Sequence, residues 1–241
     1  MRTRYFNRWS IHSLVAGLLA AVSGCADGPV PEMRYLNPWI REQWAKDEAY
    51  APTYHRKVTD LAKLRSQAAT LPSGEREQIA VGLAARLKEE PSPALRAELV
   101  RTLGELPTPV AQQAILAAMA DETAYVRTVA CKSLGRHPDS DGFQSLAQAV
   151  ASDADLDVRV AAARELGKFR DFEAPQALRP ALDERDPALQ VAAMQSLEDL
   201  TGRTNFRNSV TTWREYLDGG NPAPPPGPSV AEVVKQYWSW F

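Results

Sequence analysis

Cysteine is nearly absent from this chain, which has only Cys25 and Cys131. No disulfide framework is available to it, so its stability has to come from packing. Histidine is as scarce: of His12, His55 and His137, none stands in a metal-ligand spacing beside an acid. Asp153, Asp155 and Asp157 alternate like the start of a calcium loop, but no glycine or closing glutamate follows where such a loop needs them. The sequence also lacks a Cys-x-x-Cys-His haem site, a glycine loop that would cradle phosphate and a Gly-x-Ser-x-Gly elbow. We therefore assign no catalytic residue, no metal and no cofactor, and no small-molecule substrate is evident. Cationic excess is missing too: 28 lysines and arginines face 30 acids, for a net charge of −2. Nucleic acid is not an expected partner, because binding a phosphate backbone needs a basic footprint. Finally, no apolar run approaches the roughly 20 residues that span a bilayer as a helix.

The one apolar run that exists is short and has a characteristic setting. Arg2, Arg4 and Arg8 precede it, residues 14–22 are apolar or small throughout, and Val22-Ser23-Gly24-Cys25 closes it. A cationic start, a short apolar stretch and small residues before a cut describe a signal peptide over residues 1–24. An aliphatic residue, two small residues and cysteine resemble the lipobox of bacterial lipoproteins. That resemblance implies a lipid-attachment role for Cys25, with a diacylglyceryl thioether on its sulfur and a further acyl chain on its amine. Several chains exceed the two signals that stable anchoring requires. The expected location is extracytoplasmic, lipid-anchored to a bacterial membrane. Ala26 in place of Asp points to the periplasmic side of the outer membrane if the host has two. An ordinary secretory signal with an incidental Cys25 is the alternative. Cleavage would remove three arginines and no acid, leaving a more acidic remainder.

The rest of the chain repeats itself. Leu95-Arg96 with Leu103-Gly104 recurs as Val126-Arg127 with Leu134-Gly135 and as Val158-Arg159 with Leu166-Gly167. A degraded copy, Leu189-Gln190 with Leu197-Glu198, follows. A period of about 31 or 32 residues marks a stacked repeat array. Within each copy the apolar residues fall at helical spacing, as in Val126, Val129, Ala130 and Leu134. Ser92, Thr123, Asp155 and Asp186 each stand three residues before the first aliphatic position, where a side-chain oxygen can cap a first turn. Pro93 and Pro187 take the adjoining position that tolerates proline best. Gly104, Gly135 and Gly167 are read as small residues that permit tight turns at the helix ends. Second helices follow, with stripes Ile115, Leu116, Met119, then Leu146, Ala147, Val150, then Leu178, Ala181, Leu182. An earlier one carries Ile79, Leu83 and Leu87. One helix pair cannot bury its own faces, so neighbours must stack.

This pattern resembles the short HEAT-like repeats of the bilin-lyase-related group, carried by the Val-Arg, the alanine-rich middle and the Leu-Gly of each first helix. The resemblance implies an all-α fold, an α-α superhelix of stacked helix pairs over residues 73–203. Around it we expect a tether (25–36), capping helices (37–72), a C-terminal capping helix (204–220), a proline-rich linker (221–229) and an aromatic tail (230–241). Ile40 and Trp44, then Tyr54, Val58 and Leu61, belong to the expected N-terminal caps; Val210, Trp213 and Leu217 build the C-terminal one, with Trp213 as core. Cys131 occupies the slot of Ala163 and Met194 and reads as a small core residue.

A repeat family is named for shape and carries little chemistry. The expected function is a non-catalytic scaffold or adaptor that binds another envelope protein. An enzyme or enzyme accessory related to the bilin lyases is the alternative, as is a purely structural envelope component. Candidate partner contacts are Gln113, Gln144 and Gln176, at equivalent places on successive second helices, which usually line the concave side of such solenoids. That amide row suits an extended ligand, or is simply a neutral solvated face. The other candidates are the tail aromatics Tyr237, Trp238, Trp240 and Phe241, since clustered aromatics at a terminus usually mark a contact. The tail's docking site is open between a partner, the membrane interface and the chain's own solenoid.

Overall fold

The structure, a computed structural model, describes residues 52–170, 173–206 and 208–225, together with Pro38, Glu42 and Lys46. The chain divides into two compact units, Met1–Lys57 and Val58–Phe241. In the first, Glu42 and Lys46 form an exposed ion pair of 2.9 Å across one helical turn.

The described residues are helical and contain no strand: α1 (Tyr54–Gln67), α2 (Ser73–Glu89), α3 (Pro93–Leu103), α4 (Pro109–Ala118), α5 (Ala124–Leu134), α6 (Ser140–Ser152), α7 (Leu156–Leu166), α8 (Ala174–Ala177), α9 (Arg179–Asp183), α10 (Pro187–Thr201) and α11 (Val210–Leu217). Helices α3, α5, α7 and α10 pack side by side as one layer. Helices α2, α4, α6, the α8–α9 segment and α11 form the second. Between them runs one apolar core that includes Leu103, Val126, Leu134, Val158, Leu166 and Leu182, each essentially without solvent contact. This is the stacked helix-pair architecture expected from the repeat.

The local chemistry explains most boundaries. Ser92, Asp155 and Asp186 cap α3, α7 and α10 by accepting first-turn N–H groups. Thr123 stands at the same place before α5, but its hydroxyl makes no cap bond; a guanidinium N–H of Arg96 takes it, at 3.4 Å. Second helices have their own caps, unremarked in the sequence reading: Thr108 to Ala111, Asp139 to Gly142 and Ser209 to Thr212. The third second helix is split into α8 and α9, and Pro180 lies at the break. Proline has no N–H to continue the ladder, and its ring collides with the preceding turn.

Two readings of the sequence need refinement. The repeated glycines do lie in the turns that end α3, α5 and α7, but they do more than permit them: Gly104, Gly135 and Gly167 all have ordinary right-handed φ values, open to any residue. Their lack of a side chain lets the next first helix approach. A Cβ at Gly104 would lie 2.8 Å from Ser133 Oγ and 3.3 Å from its Cα, and one at Gly167 would lie 3.0 Å from Ser196 Cβ. Ser133 and Ser196 use that closeness to donate back to the carbonyls of Val100 and Ala163, at 3.3 and 2.8 Å. The left-handed C-cap is Gly202, φ 70°, which ends α10. The second correction concerns the stripes. On α4 the buried positions are Ala111, Ile115 and Ala118, while Leu116 and Met119 are only half-buried. On α6 Ala149, not Ala147, joins Leu146 and Val150.

At the C-terminal end, Trp213 is fully buried, as expected, and meets Phe206 edge-on with ring centroids 4.9 Å apart. Arg203 lies over the Tyr216 ring at 4.7 Å. At the other end, Leu61 of α1 packs on the core, and Arg65 reaches Glu98 at 2.8 Å and Thr102 at 3.2 Å.

Candidate interaction surface

The arginine of the first three copies links each pair to the turn that enters the next. Arg127 donates from Nε and Nη2 to both oxygens of Asp153, each at 2.8 Å, and from Nη1 to the Asp121 carbonyl at 2.8 Å. Arg96 does the same one repeat earlier, gripping Asp121 at 2.8 and 3.0 Å and the Pro91 carbonyl at 3.1 Å. Two-point pairing of a planar guanidinium with a carboxylate sets orientation as well as attraction. Asp121 and Asp153 also accept the backbone N–H two residues on, from Thr123 and Asp155, at 2.9 Å each. Each aspartate thereby shapes the turn into the following first helix while holding the arginine of the preceding one.

Burial works against charge on both carboxylates, but the guanidinium and the backbone N–H outweigh it, holding Asp121 and Asp153 below the ordinary aspartate value. The ladder weakens at its third rung. Arg159 keeps the Asp153 carbonyl at 2.7 Å, but its acid is Glu184, 3.6 Å away and nearly half exposed. In the degraded fourth copy Gln190 stands in for arginine and donates to the Glu184 carbonyl at 2.6 Å. The recurrence of the arginine is plain in the sequence, but this role is not. The available signal was an acid 25 or 26 residues after each arginine, two places before the N-cap of the next first helix.

These contacts occupy two of the three aspartates whose alternation is like the start of a calcium loop. Asp153 serves Arg127, and Asp155 caps α7. Among the described residues no cluster of His, Cys, Asp or Glu is arranged to hold a metal.

The candidate contact residues fall into three groups. Gln113 and Gln144 are exposed on α4 and α6. Gln176 is exposed too, but its amide is occupied: Nε2 donates to the Leu217 carbonyl at 2.9 Å, tying α8 to α11. Cys25 and the tail residues Tyr237, Trp238, Trp240 and Phe241 lie outside the described residues. Between α4 and α6 runs a groove of about 650 Å³, with Leu116, Met119 and Ala149 along its apolar side and Gln144 and Gln148 along its polar one. One end is closed by the Arg127–Asp153 pair. A similar groove of about 420 Å³ separates α2 from α4 and ends at Arg96 and Asp121. His137 is exposed in the turn before α6.

Cys131 is fully buried, and its Sγ lies 3.7 Å from the Met119 sulfur. Burial, with Asp153 and Glu165 adding to it, pushes the thiol up to about 12. The thiolate is the reactive form, so native protein should leave Cys131 unmodified by iodoacetamide at pH 8, with full alkylation on unfolding. Mass-spectrometric mapping of the Cys131 peptide checks this; rapid modification of folded protein would contradict the burial.

Stacked helix pairs, a continuous core and a ladder of arginine–carboxylate rungs define a helical repeat scaffold. Residues 80–159 match the family model of HEAT repeats, and residues 158–184 match that of the PBS lyase HEAT-like repeat. The chain carries a HEAT-like repeat domain. No curated protein matches it. Among the described residues, no helix is long and apolar enough to cross a membrane.

Proposed function

We propose that this chain is a membrane-anchored envelope lipoprotein whose HEAT-like repeats bind another envelope protein without catalysis. The observation that carries the reading is the run from Arg2 to Cys25 ahead of the repeat domain. Such a run supplies an anchor and no chemistry, and a solenoid supplies an extended surface and no reactive centre. The grooves along the second helices support the same reading, since each offers an apolar side and a polar one, as protein-binding surfaces do.

Lipidation is tested at its acceptor. Cys25→Ser should abolish incorporation of labelled acyl chains and leave the protein either uncleaved or released in soluble form. Unchanged labelling with full membrane retention would overturn the anchor. Site-directed crosslinking from Gln113 and Gln144 in intact cells tests the scaffold role. The same partner captured from both positions supports it; no adduct to any other polypeptide counts against it.

A further inference from the structure

Helix α2 carries a face that its own described packing leaves unused. It packs against α3 and α4, and its opposite side, Gly74, Gln78, Val81, Gly82 and Ala85, is exposed. These residues share one side of a helix by their spacing, and none is charged. Val81, at the centre, is an aliphatic side chain 51% exposed. Gly82 beside it is harder to explain by the fold alone. Glycine weakens a helix interior relative to alanine. At Gly104 and Gly167 the missing side chain admits a neighbouring helix, but at Gly82 no atom lies within 4 Å of where a Cβ would stand.

We propose that this face docks on the same face of a second copy, antiparallel, about a two-fold axis near Val81 and Gly82. The charges beside the face select that occupant. Glu75 and Glu77 flank it near the start of α2, and Arg86 and Lys88 near its end. None of these four side chains forms an ion pair with a described residue. At about 100° per residue, Glu75 and Arg86 lie on one flank and Glu77 and Lys88 on the other. Antiparallel helices related by a two-fold bring like flanks together. Glu75 therefore meets Arg86 of the second copy, Glu77 meets its Lys88, and the symmetry repeats both pairs. Parallel pairing would instead set acid beside acid and base beside base.

The shape agrees with the charge. In this register Val81 of each copy enters the hole left by Gly82 of the other, between Gln78 and Ala85. Glu89, the last residue of α2, falls opposite Gly74 of the second copy, and Arg76 lies on the inner side with its Nε buried. Helix α2 has 17 residues, and one helix pair of that length covers less than the roughly 800 Å² per partner of a standard interface. The pairing is therefore reversible and strengthens wherever copies are crowded together. It does not depend on lipid attachment at Cys25 or on the binding of another protein.

The test is disulfide trapping in the purified full chain, with the parent protein, which keeps Cys25 and Cys131, as background. Val81→Cys stands beside the axis and should link two copies at a yield that rises with protein concentration. Gly74→Cys is exposed too, but in this register the two copies of that position stand roughly 20 Å apart, beyond the reach of a disulfide, so it should stay near background. Glu75→Lys with Glu77→Lys, or Arg86→Glu with Lys88→Glu, each added to Val81→Cys, should lower the yield about tenfold. Mixing the two variants should restore it, because every flank pair is then opposite in sign. Gly82→Leu favours the helix itself but fills the hole that Val81 enters, so it should lower the yield without loss of thermal stability; it also serves if circular dichroism shows a charge variant unfolded. Linkage at Val81→Cys no greater than background, equal linkage at Gly74→Cys, no rescue on mixing folded variants, or an undiminished yield with Gly82→Leu would overturn the proposal.

Discussion

Replacing Leu166 by alanine should lower the unfolding free energy by about 2–5 kcal/mol, the range for a buried leucine whose surroundings relax only partly. Leu166 ends α7, is fully buried, and belongs to the one helix that packs against α5, α6 and α10 at once. A hole there is bounded by helices already locked by close contact: Gly135 sits beneath Glu165, and Gly167 beneath Ser196. Collapse around the cavity is therefore hindered. Leu116→Ala is the matching comparison, because Leu116 faces the groove and is only half-buried; its loss should stay near or below about 1 kcal/mol. Urea unfolding followed by far-ultraviolet circular dichroism measures both. Equal losses in the two variants would mean that the boundary between core and groove is misplaced.

The second large effect belongs to the ladder. Arg127→Ala should cost about 2–3 kcal/mol, since it removes charge-assisted hydrogen bonds to Asp153 and leaves that carboxylate only 11% exposed without its guanidinium. The pair lies at the edge of the solenoid, which keeps the figure below that for a fully enclosed pair. The double variant Arg127→Met with Asp153→Leu should recover part of the loss, because no charge is then stranded. A double variant as unstable as Arg127→Ala would show that shape, not charge, makes the rung. The pH dependence follows from the depressed carboxylates. Asp121 and Asp153 hold fewer protons folded than unfolded at acidic pH, so their contribution is complete above the unfolded aspartate value of about 3.9. It disappears as pH falls from there through the lower folded values. The acid loss of stability should therefore be smaller in Asp153→Asn than in the parent protein, as equilibrium unfolding between pH 5 and pH 2 would reveal.

Features that depend on neighbours within a few residues were legible in the sequence. The helical spacing, the caps at Ser92, Asp155 and Asp186 and the buried slot of Cys131 all express rules that act inside one helix or its ends. The period itself revealed the stacking, because helix pairs that recur every 31 or 32 residues have no other way to bury their faces. Thr123 illustrates the limit. Its type and position are those of a cap, but a guanidinium from the previous repeat competes for its hydroxyl, and no local rule contains that competitor.

The amino-acid sequence alone determined the fold class, the repeat register, and the absence of the common catalytic and metal-binding signatures. It also carries the lipobox-like run at Cys25, which lies outside the described residues. The tertiary structure decided which side of each helix meets which neighbour. Gly104, Gly135 and Gly167 proved to be contact points for the next helix as well as turn residues, Met119 moved from the core to the groove wall, and Gln176 became a tie to α11 while Gln113 and Gln144 stayed exposed. The physical reason is one of range. Capping and helical periodicity act over a single turn, whereas Arg127 meets Asp153 26 residues away and Gln176 meets Leu217 41 away. Only packing brings such groups within hydrogen-bonding distance.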